Sequence, residues 1–341
     1  MHLADLRQQL ASRGARPDHA ERVLRRWIQG LSQDSRHRRV DDFLPLALRR
    51  DLPGLLESWG ALTRLREAKA ADDGARRLLL ELGDGQLIES VLLPRAGLCV
   101  STQVGCAVRC VFCETGKSGL LRQLGSAEIL AQVVLARSLA RVQKVVFMGM
   151  GEPAHNLAAV LDAIELLGTQ GQIGHKNLVF STVGDLRVFE RLPLGIVKPA
   201  LALSLHSTVP ERRARLLPHA ARLAPAELVE LGEDYARRTH YPIQYQWTLM
   251  EGINDDAEEL EGLVRLLRGK YAVLNLIPYN TVSGAAFRRP DWQRTADLAR
   301  HLHGRGILTK LRQSAGQDVE AGCGQLRARA PVALRVLAPR R

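Results

Sequence analysis

Three cysteines fall in one short run, Cys106-Ala-Val-Arg-Cys110-Val-Phe-Cys113. Thiolates this close along a loop can wrap a single iron–sulfur cluster. A [4Fe–4S] cube has four irons and is normally held by four cysteines, so three ligands leave one iron open to another group. A structural zinc site is the alternative, but it usually takes four ligands and favours cysteines two residues apart. Two further cysteines lie outside the run. Cys99 precedes it by seven residues, and Cys323 sits in Asp318-Val-Glu-Ala-Gly-Cys-Gly-Gln-Leu326. A stray cysteine is most often a small buried apolar residue. That suits Cys99, on an apolar run. It does not suit Cys323, whose neighbours Gly322 and Gly324 make a poor core position and predict a mobile, accessible loop.

Other candidate residues mark the ends of apolar runs. Met148-Gly-Met-Gly-Glu-Pro153 has glycines that let backbone approach a ligand, and Glu152 can accept hydrogen bonds from an ammonium. Ser181, Ser204 and Asn280 end later runs. Singly, each is more often a cap or turn residue. Sharing one end of a sheet, they could face a common ligand.

The elements that would position these residues alternate. Apolar runs at Leu98–Ser101, Lys144–Met148, Leu178–Ser181, Ala200–Leu205, Ile243–Met250 and Ala272–Ile277 are separated by helical patterns near 126–140, 157–168, 185–192, 225–238 and 256–268. Six β-then-α units imply an α/β fold with a parallel sheet and right-handed crossovers. A partial (β/α)6 barrel fits, and so does a doubly wound open sheet; both place the site at the C-terminal strand ends. A last helix (291–303) and strand (Ile307–Arg312) follow. Before the alternation, Leu78-Leu-Leu-Glu-Leu and Gln86-Leu-Ile-Glu-Ser-Val-Leu-Leu flank Gly83-Asp84-Gly85, a hairpin signal. Residues 1–72 read as helical, with Asp18 as an N-cap and Ala20, Val23 and Trp27 on one face.

The chain has 341 residues, 46% of them apolar and 25% charged, as in ordinary globular proteins. Its net charge of +12 is unevenly spread. Residues 1–70 carry a net +5, residues 285–341 a net +8, and the middle is about neutral. Basic flanks around a neutral body suggest a polyanionic partner such as RNA or DNA; an arginine-rich solvated surface is the plainer reading. No apolar leader and no membrane-length apolar run is visible, so a cytoplasmic protein without a membrane partner is expected. In that reducing setting, clustered cysteines indicate metal or redox chemistry.

Taken together, the segments Leu98-Cys-Val-Ser-Thr-Gln-Val-Gly-Cys106-Ala-Val-Arg-Cys-Val-Phe-Cys113, Val146-Phe-Met-Gly-Met-Gly-Glu-Pro153, Ser204-Leu-His-Ser207, Asn275-Leu-Ile-Pro-Tyr-Asn280 and Ala321-Gly-Cys-Gly-Gln-Leu326 resemble one family. It is the RlmN/Cfr family of radical S-adenosylmethionine (SAM) RNA adenine methyltransferases, and the likeness runs in order from about residue 17 to 327. The resemblance implies a small N-terminal helical, RNA-contacting domain (1–72), a β-hairpin extension (73–96), a radical SAM (β/α)6 core (97–312) and a basic C-terminal tail (313–341) bearing the methyl-carrying cysteine. It implies a [4Fe–4S] cluster on Cys106, Cys110 and Cys113, with SAM on the open iron and lined by Gly151, Glu152, Ser181, Ser204, Leu205, His206 and Asn280.

The implied reaction consumes two SAM molecules to methylate an adenine ring carbon, carbon 2 or carbon 8. One SAM methylates Cys323; the second yields a radical that takes a hydrogen from that S-methyl group, and the methylene radical adds to the ring. Glu89, in Glu89-Ser-Val-Leu-Leu-Pro94, matches the family's proton acceptor, and Cys99 matches the resolving cysteine that releases product by a transient disulfide with Cys323. The implied partners are ribosomal or transfer RNA and a one-electron donor such as flavodoxin or ferredoxin, acting on a monomer. The chain departs from the family pattern at Glu114, at Gly119-Leu-Leu-Arg-Gln-Leu124, at Val183 and at Gly322, which bears on substrate choice. The rival readings are a radical SAM enzyme acting on a peptide or metabolite, and a non-catalytic RNA-binding relic. Neither requires both Cys99 and Cys323, and no cluster cysteine is lost.

Overall fold

The computed structural model describes residues 1–34, 39–282, 284 and 286–328. Three helices open the chain: α1 (Leu3–Ala11), α2 (Pro17–Ile28) and α3 (Leu46–Gly60). α2 begins on Pro17 itself, so Asp18 lies in the first turn rather than at the cap. Proline suits that first position because it has no N–H to leave unpaired. The apolar faces of these helices meet through Trp27 and Trp59, whose rings pack edge to face at 5.4 Å.

The expected helical region ends early. A strand, β1 (Thr63–Ala70), follows α3 and pairs antiparallel with β2 (Arg76–Leu82). β1 is an edge strand whose residues beyond Thr63 are mostly exposed, so it lacks the apolar alternation that reveals a strand in sequence. β2 turns through Asp84 and Gly85 into β3 (Leu87–Leu93), the expected hairpin, and β3 pairs antiparallel with β4 (Gly97–Cys99).

After β4 come a small hairpin of β5 (Gln103–Gly105) and β6 (Leu120–Gln123), with the short α4 (Glu114–Lys117) between them. The βα units then follow in order: α5 (Ser126–Leu139), β7 (Lys144–Phe147), α6 (Leu157–Gly168), β8 (Leu178–Thr182), α7 (Leu186–Arg191), β9 (Ala200–Ser204), α8 (Pro210–Leu216), α9 (Pro225–Thr239), β10 (Ile243–Leu249), α10 (Ala257–Leu267), β11 (Ala272–Pro278), α11 (Trp292–Gly304) and β12 (Thr309–Leu311). Ten strands form one sheet in the order β1-β2-β3-β4-β7-β8-β9-β10-β11-β12. From β4 onward every pairing is parallel. β4 is therefore the joint between an antiparallel meander and the (β/α)6 array. β12 adds one strand at the far edge.

One apolar core runs from Leu6 and Trp59 in the N-terminal helices through α5 to the strands Val145, Phe180, Leu203 and Trp247. The N-terminal helices thus share the barrel's core. Polar ties reinforce this: Ser126 Oγ accepts from Leu3 N at 2.7 Å, and Arg137 donates to the carbonyl of Ile28 at 2.6 Å. Residues 313–328 run back from β12 across the open side of the sheet to β2 and β3. Gly316 N donates to Asp73 at 2.9 Å, and Glu320 pairs with Arg77 at 3.7 Å. The basic tail's Arg329, Arg335, Arg340 and Arg341 lie outside the described residues, as do Arg36 and Arg38 of the N-terminal flank. Among the described residues, no helix is long and apolar enough to cross a membrane.

Candidate active site

The β5–β6 hairpin presents the three-cysteine loop. Gly105 has φ +78°, and a β-carbon there would lie 1.9 Å from the Gly119 carbonyl oxygen, so only glycine lets the strands close. Cys106 N donates to that same carbonyl at 2.9 Å. Arg109 takes a left-handed conformation, and Cys113 N donates to Cys110 O at 3.0 Å, folding the loop back on itself. Val108 and Phe112 anchor it in a small second core with Leu216, Leu217 and Met250.

Burial pushes all three thiols above their ordinary range, Cys106 to about 12; nearby thiols add to it, Cys113 for Cys106 and Cys110, and Cys323 for Cys113. Left alone they prefer to be protonated; an electropositive group among them would reverse that. Among the described residues, no three His, Cys, Asp or Glu side chains converge on one metal-ion position. A cube, in which each cysteine takes a different iron, is compatible with that spread.

The strand ends wall the space beside the loop. Gly149, Gly151, Glu152, Ser181, Val183, Ser204, His206 and Thr248 line it together with all three cysteines. Glu152 is buried; its carboxylate accepts from Ala154 N at 3.1 Å and Val183 N at 3.0 Å. Burial raises it to about 7 in spite of those bonds. His206 accepts from Thr248 N at 3.0 Å through Nδ1, and its ring meets Phe112 edge to face at 4.9 Å. Burial, with the nearby Arg213 charge, lowers it to about 3, so the imidazole is neutral with its proton on Nε2. Leu205 is fully buried in the main core and does not line this space; its carbonyl accepts from Arg213 at 3.1 Å.

A second, larger cavity of about 730 Å³ adjoins the first and shares Cys113, Met148, Gln246, Ile277, Cys323 and Gly324 with it. Cys99 faces it from β4, with Val146, Gln244, Asn275 and Arg312. Asn275 Oδ1 is buried there and has no hydrogen-bond partner among the described residues. Cys99 and Cys323 thus share one chamber beside the three-cysteine loop, although 224 positions separate them in sequence.

The radical SAM superfamily profile matches residues 100–267. A probable RNA methyltransferase of Aromatoleum aromaticum is 68% identical over 329 residues, covering 96% of this chain and 93% of its own length. Another, from Thiobacillus denitrificans, is 66% identical over 340 residues, covering 100% and 94%. The crystal structure of a radical SAM methyltransferase from Sphaerobacter thermophilus superposes with a TM-score of 0.84 at 34% identity, over 96% of this chain and 98% of that one. The chain belongs to the RlmN/Cfr-like family of radical SAM methyltransferases.

Within this radical SAM methyltransferase, all five cysteines are free thiols, so the disulfide expected between Cys99 and Cys323 is not a resident bond. The Cys323 loop is also better anchored than its glycines suggest. Gly324 O accepts from Glu114 N at 2.7 Å, Leu326 O from Thr115 at 2.6 Å, and Gly322 N donates to Gln325 at 2.9 Å. Cys323 is surrounded by the protein yet open to the chamber. Asn280 lines neither cavity; its amide holds this loop instead. Glu89 is buried and also lines neither. Its carboxylate accepts from Arg327 N at 2.7 Å and Ala328 N at 3.1 Å, with Arg77 at 3.6 Å.

The departures from the family pattern have local partners. Glu114 forms an ion pair with Lys117, and Val183 joins the small core behind the loop. Arg213 escaped the sequence reading. It is buried, donates to the carbonyls of Leu205, Ser204 and Val183, and its charge lies near Cys110 and Glu152. An arginine on a helix in Pro210-Glu-Arg-Arg-Ala-Arg215 gives no sign in sequence of which of its neighbours turns inward.

Proposed function

We propose that this enzyme methylates an adenine ring carbon, carbon 2 in preference to carbon 8, in ribosomal or transfer RNA through an S-methylcysteine at Cys323. The observation that carries this reading is the shared chamber, which brings two free thiols, Cys99 and Cys323, beside a three-cysteine loop. A radical SAM enzyme acting on a peptide or metabolite has no need of that pair. The relatives' printed names, probable RNA methyltransferase, agree with an RNA substrate.

The residues present fit the implied group. Three soft thiolate donors on one loop are a ligand set for three irons of a cube, leaving the fourth for SAM. Cys106, Cys110 and Cys113 would hold the cluster, and Gly151, Glu152, Ser181, Ser204 and His206 would wall SAM beside it. When bound, cluster and SAM supply one-electron chemistry: reductive cleavage of the sulfonium, strong enough to take a hydrogen from an S-methyl group. The electron comes from a small donor protein such as flavodoxin or ferredoxin, and the enzyme works as a cytoplasmic monomer.

The chain's own residues do the rest. Cys323 accepts the methyl group and carries it to the base. Cys99, fixed between Val91 on β3 and Val146 on β7, is placed to attack the Cys323 sulfur: the S–S bond forms as the S–C bond to the base breaks, and the departing carbon takes that electron pair and a proton to become the methyl group. Glu89 takes the ring proton. In the described state its carboxylate is engaged by the tail, so this role requires residues 327–328 to shift. The test is mass spectrometry of nucleosides from ribosomal and transfer RNA of cells with and without the gene. Loss of 2-methyladenosine supports the reading; loss of 8-methyladenosine moves it to carbon 8; no change in either overturns it.

A further inference from the structure

The chamber shared by Cys99 and Cys323 has a wall of carboxamides. Gln244 and Gln246 line it from β10, and Asn275 lines it from β11. Gln246 and Asn275 are register partners on adjacent parallel strands, so their side chains stand side by side on one face of the sheet. Gln246 donates to its own strand, to the Gln244 carbonyl at 3.2 Å. Asn275 is 2% exposed, and its Oδ1 has no hydrogen-bond partner among the described residues. A buried acceptor left unpaired destabilises the fold, and a ligand that donates to it removes that cost.

The charged groups of the chamber have one sign. Among the described residues its lining holds Arg95, Lys144 and Arg312, and no carboxylate or imidazole. Lys310, the register partner of Asn275 on β12, adds a cation on the same sheet face. Burial lowers Lys144 from its ordinary value, and the Arg312 and Lys310 charges add to that. Cations gathered without a counter-charge favour an anion among them. The space of about 730 Å³ is within the range of ligand sites, and apolar side chains such as Leu93, Val146 and Ile277 complete it. A flat ring, an edge that both donates and accepts, and a negative charge are the features of a nucleotide that this lining complements.

We infer that the target nucleotide enters this chamber, where Asn275 reads the edge of the adenine ring and Lys144 and Arg312 hold its phosphate. The inference rests on the adenine reading above and makes Asn275 its specificity-determining residue. A carboxamide matches adenine because its oxygen accepts from the 6-amino group while its nitrogen donates to the neighbouring ring nitrogen. Hypoxanthine and guanine carry an oxygen acceptor in place of that amino group, which would face Oδ1 with a second lone pair. A base held there shares the chamber with both spare thiols.

The test is fluorescence anisotropy of the enzyme, purified without oxygen, with short labelled oligouridine RNAs carrying one central test base. The bases are adenine, purine (which lacks only the 6-amino group) and hypoxanthine. The parent enzyme should bind the adenine probe about tenfold tighter than the other two. Asn275→Leu, close in size, should bind all three alike, at the parent's purine level, with no fall in melting temperature. Lys144→Ala should weaken all three alike and lower the slope of affinity against salt by about one phosphate; an unchanged slope removes the phosphate contact. A parent enzyme that binds the three probes equally overturns the inference without recourse to any variant. So does discrimination retained in Asn275→Leu. Equal weakening on every probe with a lowered melting temperature would make Asn275 a packing residue and likewise overturns it. A loss of SAM affinity in Asn275→Leu, by equilibrium dialysis, with RNA discrimination unchanged would seat the adenine of SAM there instead. The nucleoside comparison above judges methylation separately. Discrimination that depends on Asn275, in an enzyme whose deletion changes no methyladenosine, keeps the nucleotide site and strikes the methylation.

Discussion

Cys99 and Cys323 face one chamber from very different supports. Cys99 lies in a three-residue strand paired on both sides, and Cys323 lies on a loop tied down at each end. A fixed thiol and a tethered one suit a sequence in which the second carries a group and the first displaces it. Two outcomes follow at this scale. Cys323→Ala should abolish methyl transfer to RNA while SAM cleavage, followed as 5′-deoxyadenosine, stays measurable; retained transfer would end the two-thiol scheme. Cys99→Ala should instead leave RNA attached to the protein, seen as a nuclease-sensitive band on a denaturing gel. A clean band at the protein's own mass would remove Cys99 from product release.

Elements decide whether these residues meet. The β5–β6 hairpin sets the three-cysteine loop, and its closure depends on Gly105, where added bulk meets a backbone carbonyl. Backbone cannot move aside as a flexible side chain can. Gly105→Ala should therefore cost at least about 2 kcal/mol of stability in denaturant unfolding and lower the iron content of the purified enzyme. Strand β3 does a second job through Glu89, which clasps the tail's backbone and faces Arg77. Glu89→Gln removes a buried charge that holds two N–H groups and leaves Arg77 with Glu320 as its remaining carboxylate, 3.7 Å away, for an expected loss of about 1–3 kcal/mol. A variant as stable as the parent but inactive would make Glu89 a proton acceptor with no part in the clasp.

At the scale of the whole molecule, the sheet is an open strip whose gap is crossed by its own C-terminal segment. That segment carries Cys323 into the barrel and delivers it to Cys99. The two basic ends of the chain flank a neutral core. If RNA is gripped by those ends, its affinity should fall at least tenfold between 50 and 200 mM salt, read by filter binding, because each neutralised phosphate releases counterions. Affinity independent of salt would mean the basic flanks are only solvated surface.

The three-cysteine loop was legible because its thiols stand within eight residues of one another, and spacing that short survives any fold. The βα alternation was legible because parallel strands buried on both faces read as plain apolar runs. β1 was not, since an edge strand wet on both faces has no pattern to read. Asp18 fell one turn position inside its helix, because proline at the first position shifts the boundary. Motif order alone marked Asn280 and Leu205 as SAM contacts, but which way a side chain turns at a strand end depends on what packs behind it. Leu205 turned into the core and Asn280 toward the tail. The sequence by itself determined the chemistry on offer: three thiolates for iron, two spare thiols, and a basic exterior. Only the tertiary structure decided that the spare thiols share a chamber and that Glu89 clasps the tail, because both depend on a chain segment crossing a gap that no local pattern encodes.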